Sequence, residues 1–106
     1  MPIIAVLTNL PDSESAFNLA RELVRTRLAA CVNVHSPVTS VYRWEGNLEE
    51  ATEVPVLIKS ASQNYRAIES AIRRAHPYEL PEIVSWTLER GLPEYLAWVE
   101  RETRPE

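Results

Sequence analysis

Residues 75–83 read Ala75-His76-Pro77-Tyr78-Glu79-Leu80-Pro81-Glu82-Ile83, between a stretch with helical periodicity and a stretch with strand alternation. Because proline fixes its own φ and disfavours helical backbone in the residue before it, Pro77 should end the helix near His76. The segment therefore predicts a stiff connector that carries an imidazole, a phenol and two carboxylates. Such connectors often present ligand sites. A rigid turn whose polar groups only face water fits the same pattern.

Length and composition limit the class of protein. The chain has 106 residues, 45% of them hydrophobic and 25% charged, which predicts a single globular domain over residues 1–106. A net charge of −4 supplies no basic face for phosphates, so nucleic acid is not an expected partner. No apolar run approaches the roughly 18 residues of a membrane span, so no membrane partner is expected. The single cysteine allows no internal disulfide, and we expect a reducing, cytoplasmic location.

Glycine content excludes several cofactor sites. The only two glycines are Gly46 and Gly91. A phosphate-binding P-loop and a dinucleotide fingerprint each need several glycines at fixed spacing, and neither pattern occurs here. The Gly-x-Ser-x-Gly turn of many hydrolases is also absent. We therefore expect no organic cofactor.

Hydrophobic periodicity predicts strands and helices in a definite order. We predict a strand, a helix, two extended runs, a second helix, another strand and a last helix, over residues 3–8, 12–28, 31–45, 54–60, 62–75, 83–88 and from 93 onwards. Asp12 should cap the first helix, Pro93 should begin the last, and the tail 103–106 should fray. This order predicts an α+β, ferredoxin-like β-α-β-β-α-β sandwich, an antiparallel sheet with helices on one face, followed by an extra C-terminal helix.

The two extended runs, 31–45 and 54–60, should form one long β-hairpin with a turn at 45–47. The outer part of this hairpin carries Tyr42 and Trp44 and has few partners left in so small a domain. We therefore expect another chain to cover these aromatic side chains. Pro55 removes a hydrogen-bond donor from a strand, so it should lie at an edge or beside a bulge.

Several side chains on these elements can carry chemistry. His76 with Glu79 and Glu82 offers nitrogen and oxygen donors that suit Cu(II), Zn or Ni, although the spacing is no recognised metal pattern. Lys59 ends an apolar strand and either reaches water or binds an anionic ligand. Cys31 has no base or positive group near it in sequence, which favours a buried structural thiol over a nucleophile.

Five stretches of the chain together resemble the CutA family of divalent-cation tolerance proteins. They are Arg27-Leu28-Ala29-Ala30-Cys31-Val32-Asn33, Tyr42-Arg43-Trp44-Glu45-Gly46, Leu57-Ile58-Lys59, His76-Pro77-Tyr78-Glu79-Leu80-Pro81-Glu82-Ile83 and Tyr95-Leu96-Ala97-Trp98. The resemblance implies a homotrimer similar to the PII signalling proteins, in which the hairpin extends to a neighbouring subunit. It also implies binding of copper or another divalent cation, with His76 and Glu82 as metal ligands. The implied cleft between subunits contains Cys31, Asn33, Tyr42, Trp44, Lys59, Tyr78 and Glu79.

Four functions remain open from the sequence. The first is a trimeric protein that binds copper or another divalent metal ion and takes part in the response to metal ions, although Thr8 stands where some family members carry a cysteine. The second is a PII-like regulator that binds a small anionic ligand through Lys59, Tyr78 and Trp44. The third is a trimer with a purely structural role. The fourth, an enzyme, is not expected, because no nucleophile, base and orienting group occur together.

Overall fold

Five strands and three helices lie within residues 2–105, the part of the chain that the computed structural model describes. They are β1 (Ile3–Leu10), α1 (Ser13–Arg25), β2 (Cys31–Val34), β3 (Val38–Trp44), β4 (Asn47–Ala61), α2 (Tyr65–Ala75), β5 (Ile83–Thr87) and α3 (Pro93–Glu102). A short 3₁₀ turn, Ser62–Asn64, precedes α2. The predicted element types and order are confirmed, with the first predicted extended run divided into β2 and β3.

The sheet has the order β2-β4-β1-β5, and every pairing in it is antiparallel. Helix α1 connects β1 to β2, which lie on either side of β4. Helix α2 connects β4 to β5, which lie on either side of β1. Each helix therefore links two strands that are separated by an inserted strand, which is the split β-α-β arrangement that the sequence predicts.

The two faces of the sheet are covered differently. Helices α1 and α2 cover one face, as predicted, and its fully buried residues include Val6, Leu10, Leu23, Ile58, Ile68 and Ile72. The extra helix α3 packs on the opposite face, where Val99 joins a small cluster with Ile3 and Ala61. Because side chains alternate along a strand, Ile3 points away from the face that α1 and α2 cover. It therefore gives α3 an apolar surface to pack against.

The rest of the second face has no helix over it, and we call it the open face. The pairs Cys31↔Lys59, Asn33↔Leu57, Leu7↔Val84 and Ala5↔Trp86 place these eight side chains on it. Trp86 and Val84 are 46% and 45% exposed. An aromatic and an aliphatic side chain of this size, adjacent on one strand face, form an apolar surface of the kind that often contacts another molecule.

The hairpin of β3 and β4 extends beyond the rest of the domain. The radius of gyration is 14.4 Å, against about 13 Å for a compact chain of this length. Tyr42 and Trp44 pair with Glu49 and Asn47, so alternation along β4 places both aromatics on the same side as the open face. Strand β4 begins at Asn47, seven residues before the predicted 54. Its first residues are mostly charged or polar and show no strand pattern in the sequence, but hydrogen bonds to β3 hold them in extended backbone.

Pro55 lies beside a bulge, as predicted. Val34 pairs with Val56, and Val38 pairs with Glu53. Between these two pairs the chain advances four residues from β2 to β3 but only three residues along β4. One extra residue is therefore inserted opposite Pro55, which is the definition of a β-bulge. The carbonyl of Pro55 still accepts a hydrogen bond from the N–H of His35, at 2.9 Å.

Helix α1 is capped as predicted but ends early. The carboxylate of Asp12 accepts a hydrogen bond from the N–H of Ser15 at 2.8 Å, which satisfies a free donor in the first turn. The helix ends at Arg25, three residues before the predicted 28. Arg27 follows in the left-handed region with φ of 64°, a backbone conformation that stops a helix.

Arg27 also holds the C-terminal tail. Its guanidinium donates hydrogen bonds to the carbonyls of Arg104 at 2.8 Å and Arg101 at 3.1 Å. Thr103 is buried, and its hydroxyl donates to the carbonyl of Val99 at 2.8 Å. The prediction of a frayed tail is therefore wrong for residues 103 and 104, because an arginine 77 positions away satisfies the tail's carbonyls. Position 106 lies outside the described residues.

Two buried hydroxyl groups predict opposite mutational effects. Thr8 is fully buried and its Oγ1 has no hydrogen-bond partner among the described residues, whereas the buried Ser60 hydroxyl donates to the carbonyl of Leu28 at 2.6 Å. We expect Thr8→Val to raise the free energy of unfolding by about 1 kcal/mol, since it removes an unpaired polar group. Ser60→Ala should lower it by about 1–3 kcal/mol, because the partly buried Leu28 carbonyl and the Asn64 amide both lose this partner. Urea unfolding at equal protein concentration measures both, and a Thr8→Val variant less stable than the parent would contradict the assignment.

Candidate ligand site between the hairpin and the connector

His76 is the first residue after α2, and its ring is buried rather than displayed. The residue is 7% exposed and has extended backbone, as the following proline requires. Its Nε2 is hydrogen-bonded to the carbonyl of Asn9, and its Nδ1 accepts a hydrogen bond from the N–H of Tyr78 at 3.2 Å. This geometry describes a neutral imidazole with its proton on Nε2. Tyr78 also packs against the ring, with centroids 4.4 Å apart.

Asn9 connects the two predicted metal ligands. Its backbone carbonyl contacts His76, and its side-chain Nδ2 donates to Glu82 Oε1 at 2.8 Å. Sequence reasoning missed Asn9, which lies 67 positions from His76 and 73 from Glu82. Its place near the end of β1 could have indicated this contact, because β1 and β5 are neighbours and Thr8 pairs with Ile83 at the start of β5.

A cleft of about 930 Å³ separates the hairpin from the connector. Its lining brings together Tyr42, Trp44, Tyr78, Glu79 and Glu82, all of which were candidates from the sequence, and adds Glu53 from β4. Partial burial raises the pKa of the Tyr78 phenol, and Glu53, then Tyr42 and Asp12, raise it further. The structure thus places five of the predicted residues around one cavity.

The other three cleft candidates lie elsewhere on the open face. Cys31 and Lys59 are paired positions on β2 and β4, and the Lys59 ammonium donates to Asn33 Oδ1. Tyr95 of α3 contacts Cys31. Burial raises the pKa of the Tyr95 phenol, and the interaction with Cys31 raises that pKa further. Tyr95 was not among the site residues that the sequence indicated. None of these four residues lines the 930 Å³ cleft.

The sequence matches a known protein family over nearly its whole length. The profile of the CutA1 divalent ion tolerance protein family matches residues 4–102. The chain belongs to the CutA1 family.

Relatives share this fold as well as the sequence. The chain is 45% identical over 95 residues to the protein CutA homolog of Xenopus laevis, covering 90% of this chain and 63% of that relative's length. It is 39% identical over 98 residues to the divalent-cation tolerance protein CutA of Thermus thermophilus, covering 92% and 95%. The crystal structure of the stable protein CutA1 from Shewanella sp. SIB1 superposes with a TM-score of 0.95, at 35% identity over 98% of this chain and 97% of that one. The resemblance inferred from the sequence is thereby confirmed.

The cellular location of this CutA1 family member stays a prediction. One similar structure, from Archaeoglobus fulgidus, is described as a periplasmic divalent cation tolerance protein, with a TM-score of 0.92 and 32% identity over 96% of this chain and 99% of that one. That description names the periplasm, and the cytoplasmic location expected for this chain is untested. Between residues 2 and 105, no helix has the length and apolarity that crossing a bilayer requires.

A single chain of this CutA1 family member supplies only some of the side chains that a metal ion would need as ligands. Among residues 2–105, no three or more His, Cys, Asp and Glu side chains cluster closely enough to hold a metal ion. His76 and Glu82, joined by Asn9, supply one imidazole and one carboxylate, a combination whose chemistry suits Cu(II). Thr8 supplies a buried hydroxyl and no thiolate. The ligands that a single chain supplies here are therefore nitrogen and oxygen only.

Proposed function

We propose that this chain acts in divalent-cation tolerance by binding copper or another divalent cation where Asn9 joins His76 to Glu82. The observation that supports this proposal is the pair of Asn9 hydrogen bonds, which hold an imidazole and a carboxylate from one connector at one place. A single chain offers two side-chain donors there. Water or a neighbouring subunit would complete the coordination, as most transition-metal sites have at least four ligands.

Binding would require a local rearrangement of hydrogen bonds. Both nitrogens of His76 are engaged, one by Asn9 and one by the N–H of Tyr78. A cation that takes Nε2 must replace the proton there and the contact to the Asn9 carbonyl. That proton would move to Nδ1, because a neutral imidazole that ligates through one nitrogen keeps its proton on the other, and Nδ1 could then no longer accept from the N–H of Tyr78. The proposal therefore involves binding alone, with no catalytic step, and Cys31 takes no part in it.

A calorimetric titration of Cu(II) into tag-free protein tests this proposal, because the chain has only two histidines. We expect saturable binding at a fixed ratio per subunit, weakened at least tenfold in His76→Ala and in Glu82→Gln, since each removes a ligand. His35→Ala is the matched control: His35 is exposed and should contribute only adventitious binding. Circular dichroism of each variant separates loss of a ligand from loss of fold.

The opposite pattern would overturn the metal site. Cu(II) heads the affinity order for nitrogen and oxygen ligands, so exposed histidines bind it without any built site. If His35→Ala abolishes binding and His76→Ala leaves it unchanged, the connector holds no metal.

We further propose that the chain assembles as a homotrimer. The uncovered apolar side chains of the open face and the projecting hairpin support this, because monomeric proteins rarely expose such contiguous apolar surface. Light scattering should give three times the chain mass of 12.1 kDa. A mass equal to one chain would contradict the proposal.

A second candidate function, a PII-like regulator that binds a small anionic ligand, is favoured by one observation. The Lys59 ammonium lies on the open face beside Asn33, Cys31 and Tyr95, and this polar group is separate from the metal candidates. A bound ligand should raise the melting temperature by mass action. A panel of nucleotides and inorganic phosphate that shifts the melting temperature of the parent, and does not shift that of Lys59→Met, would support this function. An unchanged parent would count against it.

A further inference from the structure

The outward side of α2 carries a row of arginines. An α-helix turns by about 100° per residue, so the side opposite the buried residues of α2 presents Arg66, Ser70 and Arg73, with Arg74 beside them. All four are exposed. We call Arg66, Arg73 and Arg74 the arginine row. Because α2 covers the face of the sheet opposite the open face, the row stays accessible in the proposed homotrimer.

The arginine row has no carboxylate partner within the chain. Among residues 2–105, neither Arg66 nor Arg73 nor Arg74 forms a salt bridge. Glu69, the single acidic residue of α2, instead accepts a hydrogen bond from the Tyr65 hydroxyl at 2.9 Å. The helix thus has three positive charges and one negative charge in a chain whose net charge is −4. A helix face that only meets water usually mixes both signs.

Arg66 lies in the first turn of α2, where it opposes the helix dipole. The N-terminal end of a helix carries a partial positive charge that favours acidic residues, and the first turn of α2 has none. Arg73 and Arg74 lie in the last turn, where the same dipole favours cations. Helix stability therefore accounts for Arg73 and Arg74 but not for Arg66. A residue that breaks a local rule without a compensating contact indicates a role outside its own helix.

We propose that the arginine row docks an acidic helical segment of a partner protein. A guanidinium binds a carboxylate through two parallel hydrogen bonds. Glutamates seven residues apart on a partner helix recur every ~10 Å, the same separation as Arg66 and Arg73 along α2. Ala67 and Ser70 are small, so the two helices can approach closely. A long polyanion such as a nucleic acid fits less well, because the rest of this acidic chain repels it.

Fluorescence anisotropy of a labelled peptide tests this docking on the full, tag-free chain, in EDTA and at low salt. The peptide has three repeats of Glu-Ala-Ala-Glu-Ala-Ala-Ala, which place glutamates on one side of a helix. The same peptide with glutamine in place of glutamate is the uncharged control, and inorganic tripolyphosphate is a competitor of different chemistry. We expect saturable binding of the glutamate peptide, weakened at least tenfold in the glutamine peptide and weakened by added salt, which screens exposed charges.

Charge-removing variants locate the binding. Arg66→Gln and Arg73→Gln should each weaken peptide binding about twofold to fivefold, the range expected for exposed charge pairs. In the double variant the two factors should multiply, because sites ~10 Å apart without shared contacts act independently. Arg90→Gln is the matched control: Arg90 is exposed, lies outside α2 and changes the net charge equally, so its removal should leave the affinity unchanged.

Several outcomes would overturn the proposal. Absence of binding, or an equal loss in Arg90→Gln and Arg66→Gln, would leave the arginine row an ordinary solvated surface. Displacement of the peptide by tripolyphosphate at equal charge concentration would mean that any polyanion fits. Association of the parent alone at low salt, absent in the double variant, would make a second copy of the assembly the occupant. None of these outcomes bears on the metal proposal, because the peptide is measured in EDTA and the Cu(II) titration depends on His76.

Discussion

Replacing Trp44 with alanine is expected to lower the stability of the assembled protein by about 3–5 kcal/mol, the usual cost of removing a buried Trp or Phe side chain. In the single chain, Trp44 is 38% exposed at the end of β3, on the side of the hairpin that continues the open face. The proposed homotrimer would cover the exposed part of the ring. Urea unfolding at several protein concentrations, with light scattering on the same samples, measures both the stability and the assembly.

Leu48→Ala is the matched control for Trp44→Ala. Leu48 lies on the same hairpin near the same tip, and pairing with Arg43 places it on the opposite side from Trp44. It is 71% exposed, so its removal should change stability by no more than about 0.5 kcal/mol. A Trp44→Ala protein with the mass and melting temperature of the parent would show that no subunit buries this ring.

The second large effect is expected within the core. Leu23 is fully buried between α1 and the sheet, in the cluster that also holds Val6 and Ile58. Leu23→Ala should lower the free energy of unfolding by about 2–5 kcal/mol, because it removes buried methyl groups and leaves a cavity that close-packed neighbours fill only in part. Chemical denaturation monitored by circular dichroism gives the value directly.

Replacing the next residue of the same helix with alanine is expected to change stability in the opposite direction. Val24 is 45% exposed on α1, and alanine has the higher helix propensity, so Val24→Ala should raise stability by a few tenths of a kcal/mol, about 0.5 at most. Equal losses in Leu23→Ala and Val24→Ala would mean that the helix is not oriented as described.

Local patterns in the sequence account for the order of elements and for several of their ends. The apolar spacing predicted both helices of the first face, Asp12 capped α1, and Pro77 placed His76 in extended backbone at the end of α2. These features depend on residues a few positions apart, whose geometry is set by backbone dihedrals and helix periodicity. The joint occurrence of five short stretches was also sufficient to identify the CutA1 family.

Those local patterns could not predict contacts between residues that are far apart in the sequence. The sequence placed His76 on a connector facing solvent or a metal, whereas the ring is buried against Asn9, which also binds Glu82. Arg27 was part of a family stretch and nothing more, yet its guanidinium orders the C-terminal tail. Charged residues before 54 gave no sign of the long β4 that pairs with β3.

By itself, the sequence determined the α+β class, the order of strands and helices, the family, and the residue types available to a site. The tertiary structure alone decided which of them meet. Asn9 reaches Glu82 because β1 lies beside β5, and Tyr42 of the hairpin lines the same cleft as Tyr78 of the connector. The reason is physical. Periodicity and proline restrict dihedral angles locally, whereas sheet register and packing select among many possible long-range pairings, and their energies depend on the whole fold.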